Sequence, residues 1–263
     1  MINLWFGFTM DTPLYGSLFV CSSMLVSVLG LLIVRRYVNI AWLKEHHEVA
    51  SYFFLMIGTL YAVLIAFAIF VVWTQFQDAG SNLEREVNAA GDISRMSAGL
   101  PEPERSNVRQ ALVNYIHSVL DDEFPAMADG RESPRTWAAI EKLMVAFTAA
   151  PITDTKSQTY SAESLRHLND LSNYRRIRLF TSRGTVPQLL WYLLFLGGIV
   201  LIAFTYFFGH ESVAWQSAMT AALAGTLAFS LYLIMAFNGP FDGSTRVNPT
   251  PYEVELQHIL DRQ

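Results

Sequence analysis

The sequence predicts an all-α integral membrane protein, with two transmembrane helical hairpins flanking a helical soluble insert. Four runs, Leu14–Val34, Val49–Trp73, Val186–Phe208 and Val213–Phe237, contain no Asp, Glu, Lys or Arg. Crossing a hydrocarbon core of roughly 30 Å takes about 20 helical residues, and each run is long enough. The charged residues gather instead between Gln75 and Arg183, where no useful length of strand alternation occurs. At 52% hydrophobic and 16% charged residues, the 263-residue chain is too apolar for most soluble enzymes and too charged for a wholly embedded bundle. The expected divisions are 1–74 (N-terminal segment and first hairpin), 75–185 (insert), 186–237 (second hairpin) and 238–263 (a Pro/Gly-rich interfacial tail with a short helix).

The segment Met1–Pro13 has neither a basic residue nor a small-residue cleavage site, so the first span reads as an uncleaved anchor. Trp5, Phe6 and Phe8 suit the membrane interface. Cys21, the single cysteine, lies mid-span and can form no intrachain disulfide. Leu18-Phe19-Val20-Cys21 lacks the small residue that a lipoprotein signal needs before its cysteine. Glu45-His46-His47-Glu48 reads as the polar boundary of the second span, because neighbours on a helix point about 100° apart and do not converge on a metal.

In the second span Gly58, Ala62 and Ala66 recur every four residues, a face without bulk that permits close helix packing or an oligomer seam. Another face carries the bulky row Tyr61, Ile65, Ile69 and Val72, expected to line a central pore if several subunits meet there. Apolar constrictions gate by dewetting and need no intramembrane charge. The fourth span repeats the small ridge with Ala214, Ala218 and Ala222.

The insert reads as helical throughout. The second span continues through Phe76, Leu83, Val87 and Ile93 until Gly99 and Pro101. Val108, Leu112, Ile116 and Val119 form the next stripe, closed by a solvated acidic end at Asp121, Asp122 and Glu123, which lacks the alternating ligands of a calcium loop. Ser133-Pro134 starts a helix with Trp137, Ile140, Met144 and Phe147 on one face, stopped by Pro151. Leu165, Leu168, Leu171 and Ile177 make a fourth stripe, leading to the densest basic cluster, Arg175, Arg176 and Arg178, with Arg183 beyond. These four arginines are expected either to anchor on lipid phosphates or to ring an ion entrance that concentrates anions. After the fourth span, Asn238-Gly239-Pro240-Phe241-Asp242-Gly243 stops the helix, and a short helix near Val254–Leu260 is expected to pack back on the insert.

An even number of crossings puts both termini and the insert on one side. The first hairpin loop holds only Arg35, Arg36 and Lys44 of the chain's 18 basic residues, so the positive-inside rule favours a cytoplasmic insert. Net charge is −5 with the basic residues otherwise scattered, which excludes a nucleic-acid footprint. No Gly-rich phosphate loop, nucleophile elbow or Cys/His pair is present, so neither catalysis nor a cofactor is expected.

The run Gly58-Thr59-Leu60-Tyr61-Ala62-Val63-Leu64-Ile65-Ala66-Phe67 leading to Val71-Val72-Trp73, the cluster Arg175-Arg176-Ile177-Arg178-Leu179, and Pro240-Phe241-Asp242-Gly243 through Val247 and Pro249 resemble the bacterial membrane family called bestrophin-like. The resemblance runs from Val49 to Tyr252 and implies two hairpins around a cytoplasmic helical insert, assembled as an oligomeric channel comparable to bestrophin anion channels. The Arg-Phe-Pro motif, proline-bearing aromatic neck and acidic calcium clasp of true bestrophins are missing, so calcium gating does not carry over. The resulting expectation is a homo-oligomeric inner-membrane channel, a ring of four or five subunits in the lipid bilayer, passing inorganic anions. The alternative is a non-conducting membrane scaffold or sensor whose insert binds a partner protein.

Overall fold

The computed structural model describes residues 13–38, 47–149, 155–184 and 186–261, apart from the side chains of 47 and 155–157. Among them the chain is α-helical without strands, in the order α1 (Pro13–Tyr37), α2 (His47–Ser97), α3 (Glu104–Ser118), a π-helical turn (Val119–Glu123), α4 (Phe124–Ala128), α5 (Pro134–Thr148), α6 (Thr155–Thr181), α7 (Gln188–Thr205), α8 (Val213–Asn238) and α9 (Thr250–Asp261). Four of these, α1, α2, α7 and α8, are long and apolar enough to cross a membrane. The chain divides into two compact units at Thr74/Gln75, Gly184/Thr185 and Asn238/Gly239.

The membrane unit holds α1, the first part of α2, α7 and α8. In lipid, helices associate through close packing rather than a hydrophobic driving force, so glycines mark the tightest approaches. A Cβ on Gly16 of α1 would stand 2.5 Å from the Tyr232 ring of α8, and one on Gly225 of α8 would meet Met24 of α1 at 3.1 Å. The Tyr206 hydroxyl, beside Gly30, donates to the Ser27 carbonyl at 2.9 Å. At the far end of α1, Arg35 donates to Gln216 Oε1 from Nε at 3.0 Å and from Nη2 at 2.6 Å, and also to the His210 carbonyl. Gln216, itself buried, in turn donates to the Thr205 carbonyl at 2.9 Å, so a polar chain ties α1, α7 and α8 together.

The small ridges expected to make such contacts lie elsewhere. Ala62, Ala66, Ala214, Ala218 and Ala222 are exposed on the subunit, while Gly58 is half-buried, facing Leu201. The close intrasubunit approaches run instead through Gly16, Gly225 and Gly197, where an added Cβ would collide with the Tyr61 ring.

The second unit builds its own core from Leu83, Ala90 and Ile93 of α2, Leu112 and Tyr115 of α3, Ile140, Leu143 and Phe147 of α5, Leu168 and Leu171 of α6, and Tyr252, Leu256 and Ile259 of α9. Helix α5 begins as its sequence dictates, with Ser133 Oγ accepting the Thr136 N–H at 3.2 Å and Pro134 at the first helical position. Its inner stripe is Thr136, Ile140, Leu143 and Phe147; Trp137 and Met144 are exposed, one position off the expected face. The acidic end is not where helix formation stops: the π turn carries the chain on into α4. Helix α4 closes at Gly130, whose φ of +67° lets the Arg131 N–H reach back to the Ala126 carbonyl at 2.9 Å. The tail expected at the membrane interface contributes to this core, with Phe241 edge-on to Phe124 at 6.0 Å between centroids and Tyr252 wholly buried.

Candidate functional site

Helix α2 runs unbroken for 51 residues and presents two faces. Tyr61, Ile65, Ala68 and Val72 turn into the subunit, packing with Trp191, Leu194 and Leu201 of α7 and Leu227, Leu231 and Ile234 of α8. The Tyr61 hydroxyl donates to the Leu194 carbonyl, which fixes that face inward. The row expected to line a pore is therefore the subunit's own core, with Ile69 half-buried at its edge. The face left open carries Thr59, Ala62, Val63, Ala66, Phe67 and Phe70. Val63, Phe67 and Phe70 are each about two-thirds exposed, at 65%, 64% and 65%. Past Trp73 the exposed positions of α2 become polar: Gln77, Asp78, Ser81, Glu84, Arg85 and Asn88. The exposed positions of α2 are thus mainly apolar in the membrane unit and polar in the second unit.

A second constellation lies inside the other unit. Arg178 is wholly buried and donates to Glu86 twice, Nε to Oε2 at 2.7 Å and Nη2 to Oε1 at 2.9 Å. Its Nη2 also reaches Glu123 Oε2 at 2.7 Å, and Arg175 binds both oxygens of the same Glu123. The Tyr115 hydroxyl donates to Glu86 at 3.1 Å. Arg175 stacks over the Trp137 ring at 4.2 Å and Arg178 over Phe124 at 5.4 Å. Two cations face two anions, so the cluster is neutral, the condition under which ionised groups can be buried. Burial works against the charge on Arg178, but Glu86 and Glu123 overcome it and hold its pKa well above the ordinary value. Burial, reinforced by the Glu86 charge, pushes the Tyr115 and Tyr252 hydroxyls well above theirs.

These contacts correct the reading of the arginine cluster. Arg175 and Arg178 are 2% and 0% exposed and committed to carboxylates, so neither can reach lipid phosphates or attract anions to an entrance. Arg176 and Arg183 are exposed. Glu123, placed by the sequence on a solvated helix end, is 0% exposed, while Asp121 stays outside. The π turn accounts for this: its extra residue per turn brings Glu123 and Phe124 together onto the inner face, where Phe124 N–H bonds the Val119 carbonyl. Glu45 and His46 lie outside the described residues.

A comparison with protein families gives a match to the Bestrophin-like domain over residues 21–252, most of the chain. The chain belongs to the bestrophin-like domain family. Solved structures of this architecture agree. A bacterial bestrophin homolog from Klebsiella pneumoniae, in a leucine-to-threonine variant, superposes with a TM-score of 0.72 at 12% identity, covering 92% of this chain and 98% of that one. An isoleucine-to-threonine variant gives 0.68 at 15% identity over 92% and 99%. The same organism's homolog phased with zinc gives 0.63 at 13% identity over 92% and 97%. At such identities the likeness is one of fold. No curated protein matches the chain.

Within this bestrophin-like fold, no group of three or more His, Cys, Asp or Glu among the described residues is arranged to hold a metal ion. Glu86 is the functional-looking residue that sequence reasoning passed over. It stands on the same inner stripe as Leu83, Ala90 and Ile93, and Arg175 and Arg178 continue the Leu168 and Leu171 stripe at helical spacing. Charges falling on a buried stripe were the available signal.

Proposed function

We propose that this bestrophin-like protein is a homo-oligomeric membrane ion channel, with the open face of α2 lining an apolar pore. The supporting observation is the face that the fold leaves uncovered: Ala62, Val63, Ala66, Phe67 and Phe70 on a helix whose opposite face is the subunit core. A ring of four or five copies would bring these faces around one axis, and the exposed Ala214, Ala218 and Ala222 ridge of α8 would suit close contact between neighbours. Membership of the family and the fold shared with bacterial bestrophin homologs favour the same assignment. Ion preference loses the arginine ring on which an anion preference rested, because two of its four members are neutralised inside the insert. Membership of the family supports a bacterial inner-membrane location, and the near-membrane basic residues favour a cytoplasmic insert and termini.

Flux of chloride, sodium and potassium into liposomes holding the purified protein tests this. Selective flux that falls at least tenfold in Val63→Trp or Phe67→Trp, and little in Ile65→Val, is expected. Tight vesicles from correctly assembled protein would favour the scaffold alternative, and equal sensitivity at Ile65 and Val63 would refute the assigned face.

A further inference from the structure

With Arg175 and Arg178 turned inward, the opposite face of α6 has its own character. Asn169, Asn173, Arg176 and Phe180 are exposed at three- and four-residue spacing, and Arg183, also exposed, follows just beyond the helix. No carboxylate stands on this stripe. Phe180 is 73% exposed, more than any other large apolar side chain among the described residues of its unit. A lone exposed apolar side chain is ordinary on a protein surface. Arg176 precedes this one by about one helical turn, roughly 6 Å along the axis, and Arg183 follows three residues on, past the helix end. Arg176 has no ion pair among the described residues, and Arg183 engages Glu132 through Nη2 at 2.5 Å.

The chain supplies the nearby surface. Ser182–Pro187 is all that separates α6 from α7, an apolar helix of spanning length. In the sequence Phe180 and Arg183 stand eight and five residues before the first residue of that helix. A helix lying on a bilayer buries an apolar side chain such as Phe at the boundary between headgroups and acyl chains, and arginines beside it extend to phosphates. A soluble partner would need an apolar patch of several side chains, whereas one ring between two cations suits a layer of lipid headgroups.

We propose that Arg176, Phe180 and Arg183 dock α6 on the headgroup layer of the membrane, with the phenyl ring inserted and the guanidiniums on the phosphates of anionic phospholipids. This contact does not depend on whether the protein conducts. The two faces of α6 then use their arginines differently. Arg175 and Arg178 hold the helix to the carboxylates of the unit's core, whereas Arg176 and Arg183 hold it to lipid.

The test uses full-length protein in a Cys21→Ser background, reconstituted in phosphatidylcholine vesicles with or without phosphatidylglycerol. An environment-sensitive fluorophore is placed at Phe180→Cys or, leaving the ring in place, at Asn173→Cys, with Val145→Cys on the exposed side of α5 as reference. Nitroxide-bearing lipid is expected to quench the α6 labels severalfold more than the reference, and more strongly when phosphatidylglycerol is present. Arg176→Glu with Arg183→Glu should at least halve the Asn173 signal, and so should high salt. Quenching equal to the reference, or indifferent to phosphatidylglycerol and to both arginines, would overturn the assignment.

Discussion

Arg178 clasps Glu86 through two parallel hydrogen bonds in the interior of the insert, with both side chains 0% exposed. Removing one partner leaves the other charge buried without compensation, which typically costs about 3–5 kcal/mol, whereas replacing both with apolar residues of similar size is often neutral. Glu86→Leu and Arg178→Met should each destabilise the insert by roughly that amount. The double variant Glu86→Leu with Arg178→Met should recover most of the loss. Chemical unfolding in mild detergent, followed by helical circular dichroism, reads the difference; additive losses would mean that the pair is not coupled.

The same cluster sets a limit at high pH. Burial first, and the Glu86 charge second, keep the Tyr115 and Tyr252 hydroxyls protonated well past the ordinary tyrosine value of 10.0. In the unfolded chain both ionise near that ordinary value. Their contribution to stability is therefore complete below about pH 10 and declines as pH rises beyond it, by up to ~1.4 kcal/mol per pH unit for each tyrosine. Tyr252→Phe removes one of the two titrating hydroxyls, so it should flatten the alkaline decline. Unfolding midpoints measured from pH 8 to 11 decide the point, and parallel curves for the variant and the native protein would rule it out.

How far the sequence anticipated these features depends on the environment of each helix. The four spans were legible as charge-free runs, because a bilayer punishes charge irrespective of helix face. Which face of α2 turns inward was not, since Tyr61, Ile65, Val63 and Phe67 are all apolar or aromatic and lipid gives no polar side to read. In the insert, where water marks the outer face, the stripes of α3 and α6 were legible. The Arg178–Glu86 and Arg175–Glu123 pairs join residues far apart in the chain, and Glu123 turns inward only through the π turn. Local periodicity can put Glu86, Arg175 and Arg178 on buried stripes, but it cannot announce which partners they take.

Subunit folding and subunit assembly should respond to different small residues. Gly16 lies against the Tyr232 ring, 2.5 Å from where a Cβ would sit, so Gly16→Ala should force α1 away from α8 and cost about 1–3 kcal/mol. Ala218 is exposed on α8, so Ala218→Leu should leave the unfolding temperature of the subunit unchanged while disturbing any ring that packs there. Thermal melts paired with mass measurement in detergent separate the two effects. A lowered melting point for Ala218→Leu, with assembly intact, would place that alanine in the fold rather than at a seam.

The side of the membrane occupied by the insert is open to direct labelling, and the structure chooses the position. Ser133 is 5% exposed and caps α5, so a cysteine there would be shielded and would weaken the helix start. Glu141, exposed on the outer face of α5, has neither drawback. In a Cys21→Ser background, Glu141→Cys should react with a membrane-impermeant maleimide only after the cells are opened, as a cytoplasmic insert requires. The arginines near the spans favour that orientation even with Arg175 and Arg178 neutralised, because Arg176 and Arg183 remain exposed, and charge near the ends of spans is what the insertion machinery reads. Labelling in intact cells would put the insert outside and invert the whole topology, since an even number of spans carries both termini with it.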